Sequence, residues 1–295
     1  MKKFYNGPWV LILPTIIILV CIVFLPLVIS LWTSFTPYKL LRPDTIYKFI
    51  GLRNYQRIFN DLDFWVAFGR TVLFLAIALN VELVIGLGIA LLINKITIGQ
   101  RLLRTLIMFP MMFSPILVGF QWKYIFNDNI GLLNNFLREF GVIDPIPWLV
   151  QGNLALFSII AAEAWSSTSV FAILLLAGLL GIPRDPIEAA RVDGCNAWQV
   201  FQNITLPFLM PFIFIAMTIR SLDVARAYDI VQMMTGGGPA RRTELLWTLV
   251  ARTGYVDAKM GLANAMSYIS IFLSIAFTFF FFYKLMQSRQ QLSYD

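Results

Sequence analysis

The sequence predicts an all-α membrane protein with six transmembrane helices, and its composition and the length of its apolar runs support this prediction. The chain of 295 residues is 59% hydrophobic and 13% charged, and it contains 26 phenylalanines. Its apolar runs reach the length of about 20 residues that a helix needs to cross a bilayer. No segment between the runs is long and apolar enough to form a soluble domain, so residues 1–295 are interpreted as a single transmembrane domain.

The predicted spans are separated by polar stretches, prolines and glycines. They lie at about residues 9–33, 71–94, 106–126, 154–180, 204–234 and 262–283. The basic start and the first apolar run could belong to a signal peptide, but the run is about twice as long as a signal h-region and shows no small-residue cleavage site. A retained helix is therefore favoured. Pro110 and Pro115 are expected to break the third span.

Composition excludes several kinds of chemistry. The chain has no histidine, which removes imidazole catalysis and histidine-ligated metals. Cys21 falls in a span and Cys195 in a polar connection, so a disulfide between them is not expected. The net charge of +7 is interpreted as attraction to anionic lipid rather than to nucleic acid. No catalytic residue, metal site or cofactor is therefore predicted within this chain.

The connecting segment between the fourth and fifth spans, residues 182–203, carries the most specific pattern in the chain. Its triplet at residues 188–190, Glu-Ala-Ala, precedes Gly194, and Ile-Thr-Leu-Pro follows at residues 204–207. Prolines at its start favour helix initiation, and Gly194 permits a sharp bend at low steric cost, which together predict two short helices. Such a segment could lie on lipid headgroups as an amphipathic connector, or it could transmit the movement of a cytoplasmic partner to the spans.

This pattern resembles the coupling loop of bacterial ABC-importer permeases, in which the triplet, the glycine and the Ile-x-Leu-Pro stand at the same spacing. The sequence Thr-Gly-Gly-Gly-Pro at residues 235–239 similarly resembles the external loop of maltose-type first permeases. The resemblance covers nearly the whole chain and implies the type I importer, or MetI-like, fold. Position 195 is usually alanine in the motif, and cysteine there is expected to leave coupling intact. The implied ATPase-coupling residues are Glu188, Ala189, Ala190, Asp193 and Gly194.

The resemblance also implies a function and partners. It implies a permease subunit that moves a sugar or sugar derivative from the external side to the cytoplasm by alternating access. Because the chain has no Walker A sequence, two separate ATP-binding subunits would hold ATP and Mg²⁺. A second, non-identical permease and an external substrate-binding protein would complete a complex in the bacterial inner membrane, with both termini cytoplasmic. The basic start and the acid-free stretch 95–104 agree with that orientation.

Charged residues within the spans raise the question of a substrate path. A carboxylate in a span, such as Glu82, is expected to face the bundle interior. Arg220, Asp223, Arg226 and Asp229 recur every three residues with alternating sign, which predicts a ladder of pairs along one helix. That ladder could line a wet cavity, or it could be purely structural near the outer surface.

The resemblance places substrate contacts in the middle of the fourth span and the second half of the fifth. The matching positions are Glu163, Trp165, Ser166, Ser167, Asp223, Arg226 and Tyr228. Trp165 could equally pack between helices. Arg226 could bind an anionic substituent through its planar fork, or the neighbouring aspartates could occupy it. The sequence does not identify the substrate.

Two other classes of membrane protein are consistent with a polytopic helical chain. A secondary transporter would usually be longer, would show repeated halves and would not need the connecting segment. A membrane enzyme would need nucleophiles or metal ligands gathered at one level, and the spans hold few acids outside the ladder.

Overall fold

The computed structural model of the chain describes the backbone of residues 8–141 and 144–294 and the side chains of residues 12–141 and 144–288. The basic start at Lys2 and Lys3 lies outside the described residues. The α-helices are α1 (Pro8–Leu19), α2 (Leu25–Ser34), α3 (Arg53–Phe59), α4 (Leu62–Lys95), α5 (Gln100–Met108), α6 (Pro115–Ile125), α7 (Leu132–Glu139), α8 (Gly152–Leu180), α9 (Arg184–Val192), α10 (Ala197–Val200), α11 (Leu206–Ala225), α12 (Asp229–Met234), α13 (Leu246–Ala251) and α14 (Met260–Tyr294). Residues Val20–Phe24, Phe201–Thr205 and Arg252–Val256 form π-helical turns, and Pro43–Tyr47 and Pro110–Met112 form 3₁₀ turns.

The membrane-spanning helices agree with the predicted fold class. Among the described residues, five helices are long and apolar enough to cross a membrane: Ile12–Ser34, Leu62–Lys95, Gly152–Leu180, Ala197–Ala225 and Met260–Ser288. A sixth crossing exists if Gln100–Met112 and Pro115–Ile125, which are bent by 92°, count as one span. The expected proline break is present, because Pro110 opens a 3₁₀ turn and Ser114 caps α6.

Several helices extend beyond the predicted spans. α4 begins at Leu62 rather than near residue 71, because the Asp61 carboxylate accepts a hydrogen bond from the Asp63 N–H at 2.9 Å and caps the helix. α5 begins at Gln100, so residues 100–104, between the second and third predicted spans, are helical. α14 continues to Tyr294 instead of ending near residue 283.

The predicted fifth span, residues 204–234, is not one continuous helix. α11 ends at Ala225, and the backbone leaves helical geometry at Arg226, where φ is −102°, and at Tyr228, where φ is −126°. α12 then packs on α6, where a Cβ added to Gly119 would lie 2.9 Å from the Met233 Cβ. The ladder prediction is therefore wrong beyond Arg226, since Asp229 lies on a separate helix.

The chain divides into two compact units, and the first comprises Met1–Trp65 and Leu249–Ile271. In this unit α3 is fastened to the end of α2 by Asn54. The Asn54 Nδ2 donates to the carbonyl oxygens of Ser34 and Thr36, each at 2.8 Å. The most apolar stretch of the Ile12–Ser34 helix is 0% buried within the chain, so the apolar side chains of this span are exposed on the surface of the subunit.

The second unit comprises Val66–Thr248 and Phe272–Asp295. Its apolar core lies between α4, α8 and α11 and includes the fully buried Phe74, Ile159, Phe171, Leu175 and Leu209. Glycines admit close helix contacts here. A Cβ added to Gly86 would lie 2.5 Å from the Phe171 Cβ, and one added to Gly178 would lie 2.8 Å from the Phe212 ring. These contacts fix the helices that carry the candidate site.

Candidate functional site

Arg220 on α11 is the centre of a buried ion cluster that joins three helices. Its Nε donates to Glu82 Oε2 on α4 at 2.9 Å, and its Nη2 donates to Glu82 Oε1 at 2.9 Å and to Glu163 Oε1 on α8 at 2.6 Å. Glu82 is 0% exposed and Arg220 is 5% exposed. The planar guanidinium fork matches a carboxylate in two places, which holds the three helices in one arrangement. Glu82 therefore faces the bundle interior, as expected for a carboxylate within a span.

A cavity of about 380 Å³ opens beside the buried ion cluster. It lies between the start of α6, the middle of α8 and the break between α11 and α12. Its lining therefore combines residues that are far apart in the chain, and the backbone between α11 and α12 forms part of its wall. Six of the residues predicted for a substrate path line the cavity: Glu163, Ser166, Ser167, Asp223, Arg226 and Tyr228.

Trp165 is not among the residues that line this cavity. Its ring stacks on Phe113 with ring centroids 6.4 Å apart, and it meets Trp122 edge-on at 5.9 Å. It thus joins α8 to α6 through an aromatic cluster. This geometry corresponds to the packing alternative that the sequence left open.

The charges on the cavity wall are paired with one another. Asp223 Oδ1 lies 3.2 Å from Arg226 Nη2, and Asp223 Oδ2 lies 3.6 Å from Arg220 Nη1. The Arg226 Nε also donates to the Leu222 carbonyl oxygen at 3.1 Å. Of the two alternatives for Arg226, the structure therefore shows occupation by an aspartate, Asp223. Since the Asp223 and Arg226 side chains are each about half exposed, this pair contributes little to stability.

The connecting segment has the predicted shape of two short helices bent at Gly194. α9 ends in a left-handed turn, with φ of +82° at Gly194 and a hydrogen bond from the Cys195 N–H to the Ala190 oxygen at 2.9 Å. α10 then starts with a capping box, in which the Asn196 Oδ1 accepts from the Gln199 N–H and the Gln199 Oε1 accepts from the Asn196 N–H. Cys21 and Cys195 are both free cysteines in this structure.

The connecting segment presents the predicted coupling residues at the surface. Glu188, Ala189, Asp193 and Gly194 are exposed, and Ala190 is half-buried. Sequence reasoning missed Val192, which is 87% exposed beside them, because its exposure depends on the direction in which α9 packs. Trp198 on α10 is 66% exposed. Apolar side chains exposed next to charged ones are typical of a surface that contacts another protein.

The geometry also limits which groups the site could hold. Among the residues that the structure describes, no group of three or more histidine, cysteine, aspartate or glutamate side chains could bind a metal ion. The buried ion cluster was not fully predicted, since Arg220 was assigned only to the ladder. In-span charges of opposite sign were the available signal, but Glu82 lies 138 positions from Arg220 and only the fold identifies the pair.

Membrane-spanning helices, a polar cavity beside buried charges and an exposed two-helix connecting segment define a polytopic transport protein. The fold is similar to a crystal structure of a bacterial ABC transporter that imports the acidic polysaccharide alginate, with a TM-score of 0.80 over 96% of this chain and 94% of that chain at 22% identity. The family model described as binding-protein-dependent transport system inner membrane component matches residues 82–291, and the chain belongs to this family. It is thus a permease subunit of an ABC importer.

Individual relatives agree with this assignment over nearly their full lengths. The chain is 35% identical to the probable ABC transporter permease protein y4oQ of Sinorhizobium fredii, covering 90% of this chain and 85% of the relative. It is 33% identical to the trehalose/maltose transport system permease protein MalF of Thermococcus litoralis, covering 92% and 90%. It is 31% identical to the sn-glycerol-3-phosphate transport system permease protein UgpA of Agrobacterium fabrum, covering 93% of each. These relatives favour an ABC permease over a secondary transporter.

Proposed function

We propose that this permease subunit moves a sugar or sugar derivative into the cytoplasm through the cavity beside Glu163. The convergence of eight polar or charged side chains from α8, the end of α11 and the start of α12 on that cavity carries the proposal. An alternating-access path must be wet, and charges in a span are tolerated only where they are paired or hydrated. Hydroxyl groups of Ser166, Ser167 and Tyr228 together with carboxylates can hydrogen-bond the hydroxyls of a carbohydrate.

The substrate that suits this cavity is an uncharged polyhydroxyl compound. Three acids line it, Glu163, Asp223 and Asp229, against two arginines. Arg220 already binds two carboxylates and Arg226 is paired with Asp223, so an anionic group would compete with a carboxylate at either guanidinium. An anionic sugar derivative would have to displace one of these pairs, which makes it the weaker candidate.

Coupling to ATP hydrolysis follows from where the connecting segment sits in the chain. α9 follows α8, and α10 passes through a π-helical turn into α11, so the segment links the two helices that carry the cavity residues. A partner that displaces α10 would therefore move α11 with it. In this proposal Glu188 makes a charged or hydrogen-bonded contact, Gly194 sets the backbone path, and Ala189, Ala190 and Asp193 complete the contact surface.

The complex inferred around this subunit contains two ATP-binding subunits, a second and non-identical permease, and an external substrate-binding protein. ATP and Mg²⁺ belong to the ATP-binding subunits, and both termini of this chain lie in the cytoplasm. The unburied apolar surface of the Ile12–Ser34 helix supports contact with lipid or with the second permease.

Purification and reconstitution test this assembly. A tagged chain should retain an ATP-binding subunit in stoichiometric amount, and proteoliposomes with both permeases and the binding protein should accumulate substrate only with ATP. The substrate is chosen by thermal-shift screening of the binding protein against sugars, polyols and anionic sugar derivatives. Omitting the second permease should abolish uptake. Uptake that follows an ion gradient without any ATP-binding subunit would contradict the proposal.

A substitution that fills the cavity tests the path. Ser167→Leu should lower the rate of uptake about tenfold or more, because overpacking costs about 1–3 kcal/mol wherever the wall cannot move aside. Assembly and basal ATP hydrolysis should persist. Ala161→Leu, on the exposed side of the same helix, is the matched control and should transport normally. Equal uptake by the two variants would place the path elsewhere.

A further inference from the structure

A second cavity, of about 960 Å³, lies in the first unit and is strongly basic. It is separate from the cavity beside Glu163, and the proposed transport path does not use it. Five cationic side chains and one acidic side chain line it: Lys39, Lys48, Arg53, Arg57, Lys259 and Asp61. Within the part of the chain that the structure describes, the first four of these cations form no ion pair, and Lys259 lies 3.9 Å from Asp257. The lining of the cavity therefore carries a net positive charge.

The positive side chains are held in place by a rigid backbone. Asn54 on α3 is buried against the end of α2, which turns Arg53 and Arg57, one helical turn apart, toward the cavity. Two like charges at this spacing repel each other and weaken a helix. An anion bound between them would relieve this repulsion.

Backbone contacts between two chain segments fix another part of the cavity lining. The Leu40 N–H donates to the Ala258 oxygen at 3.0 Å, and the Gly261 N–H donates to the Tyr38 oxygen at 2.9 Å. A Cβ at Gly261 would lie 2.1 Å from the Thr36 oxygen, so only glycine allows this approach. These contacts join the segments that carry Lys39 and Lys259.

The position of the basic cavity identifies the kind of anion. It follows directly on α2, where the first span ends at Ser34, and it reaches Asp61, immediately before α4 begins. Exposed aromatic side chains lie close in sequence to the residues that line it: Trp32, which stacks on Phe49 with ring centroids 5.9 Å apart, and Trp65. Tryptophan and other aromatic side chains are enriched at the level of the lipid headgroups.

We infer that this basic cavity binds the phosphate-bearing headgroup of an anionic phospholipid. A concave cavity of this volume encloses a headgroup, and its lysines and arginines supply the charge-assisted hydrogen bonds that a phosphodiester accepts. The flanking aromatic rings place it where such a headgroup is found. In the orientation that the sequence predicts, the headgroup belongs to the external leaflet.

The test measures how much phosphatidylglycerol stays bound to the parent protein and to the double variant Arg53→Gln/Arg57→Gln. Each protein is placed in phosphatidylcholine nanodiscs that do or do not contain phosphatidylglycerol, and the bound lipid is counted by native mass spectrometry. Both arginines are exposed, so the double variant should fold and insert normally. It should retain at most about one tenth of the phosphatidylglycerol that the parent retains, because each basic side chain near an anionic headgroup contributes binding energy. Lys123→Gln/Arg138→Gln, two exposed cations of the second unit, makes the same change in net charge and should retain the parental amount.

Three results would overturn the inference. The first is equal phosphatidylglycerol retention by the parent and by Arg53→Gln/Arg57→Gln. The second is complete displacement of the lipid by inorganic phosphate, which would identify a soluble anion as the ligand. The third is unchanged lipid retention together with lost docking of the external binding protein, which would identify an acidic protein surface as the partner.

Discussion

Replacing Arg220 by leucine is expected to destabilise the folded subunit more than any other single substitution considered for this chain. The change leaves Glu82 and Glu163 buried without their counter-charge, and breaking such a buried pair costs about 3–5 kcal/mol. The expected result is a large loss of folded protein and of heat resistance, measured by size-exclusion chromatography of detergent extracts after a temperature series.

Two further variants separate charge imbalance from simple loss of a side chain. Arg226→Leu removes an exposed arginine whose pair with Asp223 contributes little, so its stability should remain within about 0.5 kcal/mol of the parent. Glu82→Gln/Arg220→Leu removes two partners together and should recover part of the stability lost in Arg220→Leu. If Arg220→Leu and Arg226→Leu are equally stable, the buried ion cluster does not hold the three helices together.

Gly194→Val should abolish transport while the subunit still inserts and folds. The φ of +82° at Gly194 is unfavourable for a β-branched residue, and forcing valine there costs about 1–3 kcal/mol or shifts the backbone. A Cβ at this position would meet no atom within 4 Å, so the effect acts through the path of the connecting segment and not through a clash. ATP-driven uptake and retention of the ATP-binding subunit are the measurements.

Gly99→Val is the matched control for this prediction. Gly99 has a similar φ of +78° and equally open surroundings, but it lies between α4 and α5, outside the connecting segment. It should carry the same local strain and keep most of its transport. Parental uptake by Gly194→Val, with the ATP-binding subunit still bound, would show that Gly194 has no part in coupling.

The elements that the sequence predicts well are those specified by local signals. The length of the apolar runs predicts the long helices, and prolines together with a capping residue account for the break in the third span. The connecting segment follows from its prolines, Gly194 and the Asn196 cap, all of which act over a few residues. Glu82 could be assigned to the interior because a lone carboxylate in a span has no favourable lipid-facing position.

The features that the sequence did not predict depend on long-range packing. The i,i+3 charge pattern suggested a continuous helix, but α11 ends at Ala225 and α12 packs against α6 at Gly119. The two carboxylates of Arg220 come from helices distant in the chain, so spacing within α11 could not reveal them. Trp165 could be a cavity residue or a packing residue by sequence, and only the positions of Phe113 and Trp122 distinguish the two.

Measuring alternating access at the cavity most directly tests the proposal that ATP hydrolysis acts through the connecting segment. In a background with Cys21→Ser and Cys195→Ala, Ser167→Cys places one thiol on the cavity wall for labelling by membrane-impermeant maleimides added from either side. In the assembled complex, ATP with vanadate should move the reactivity of that thiol from one side to the other, and Gly194→Val should prevent the change. Reactivity that stays on one side with and without nucleotide, or that follows an ion gradient instead of ATP, would contradict the proposed mechanism.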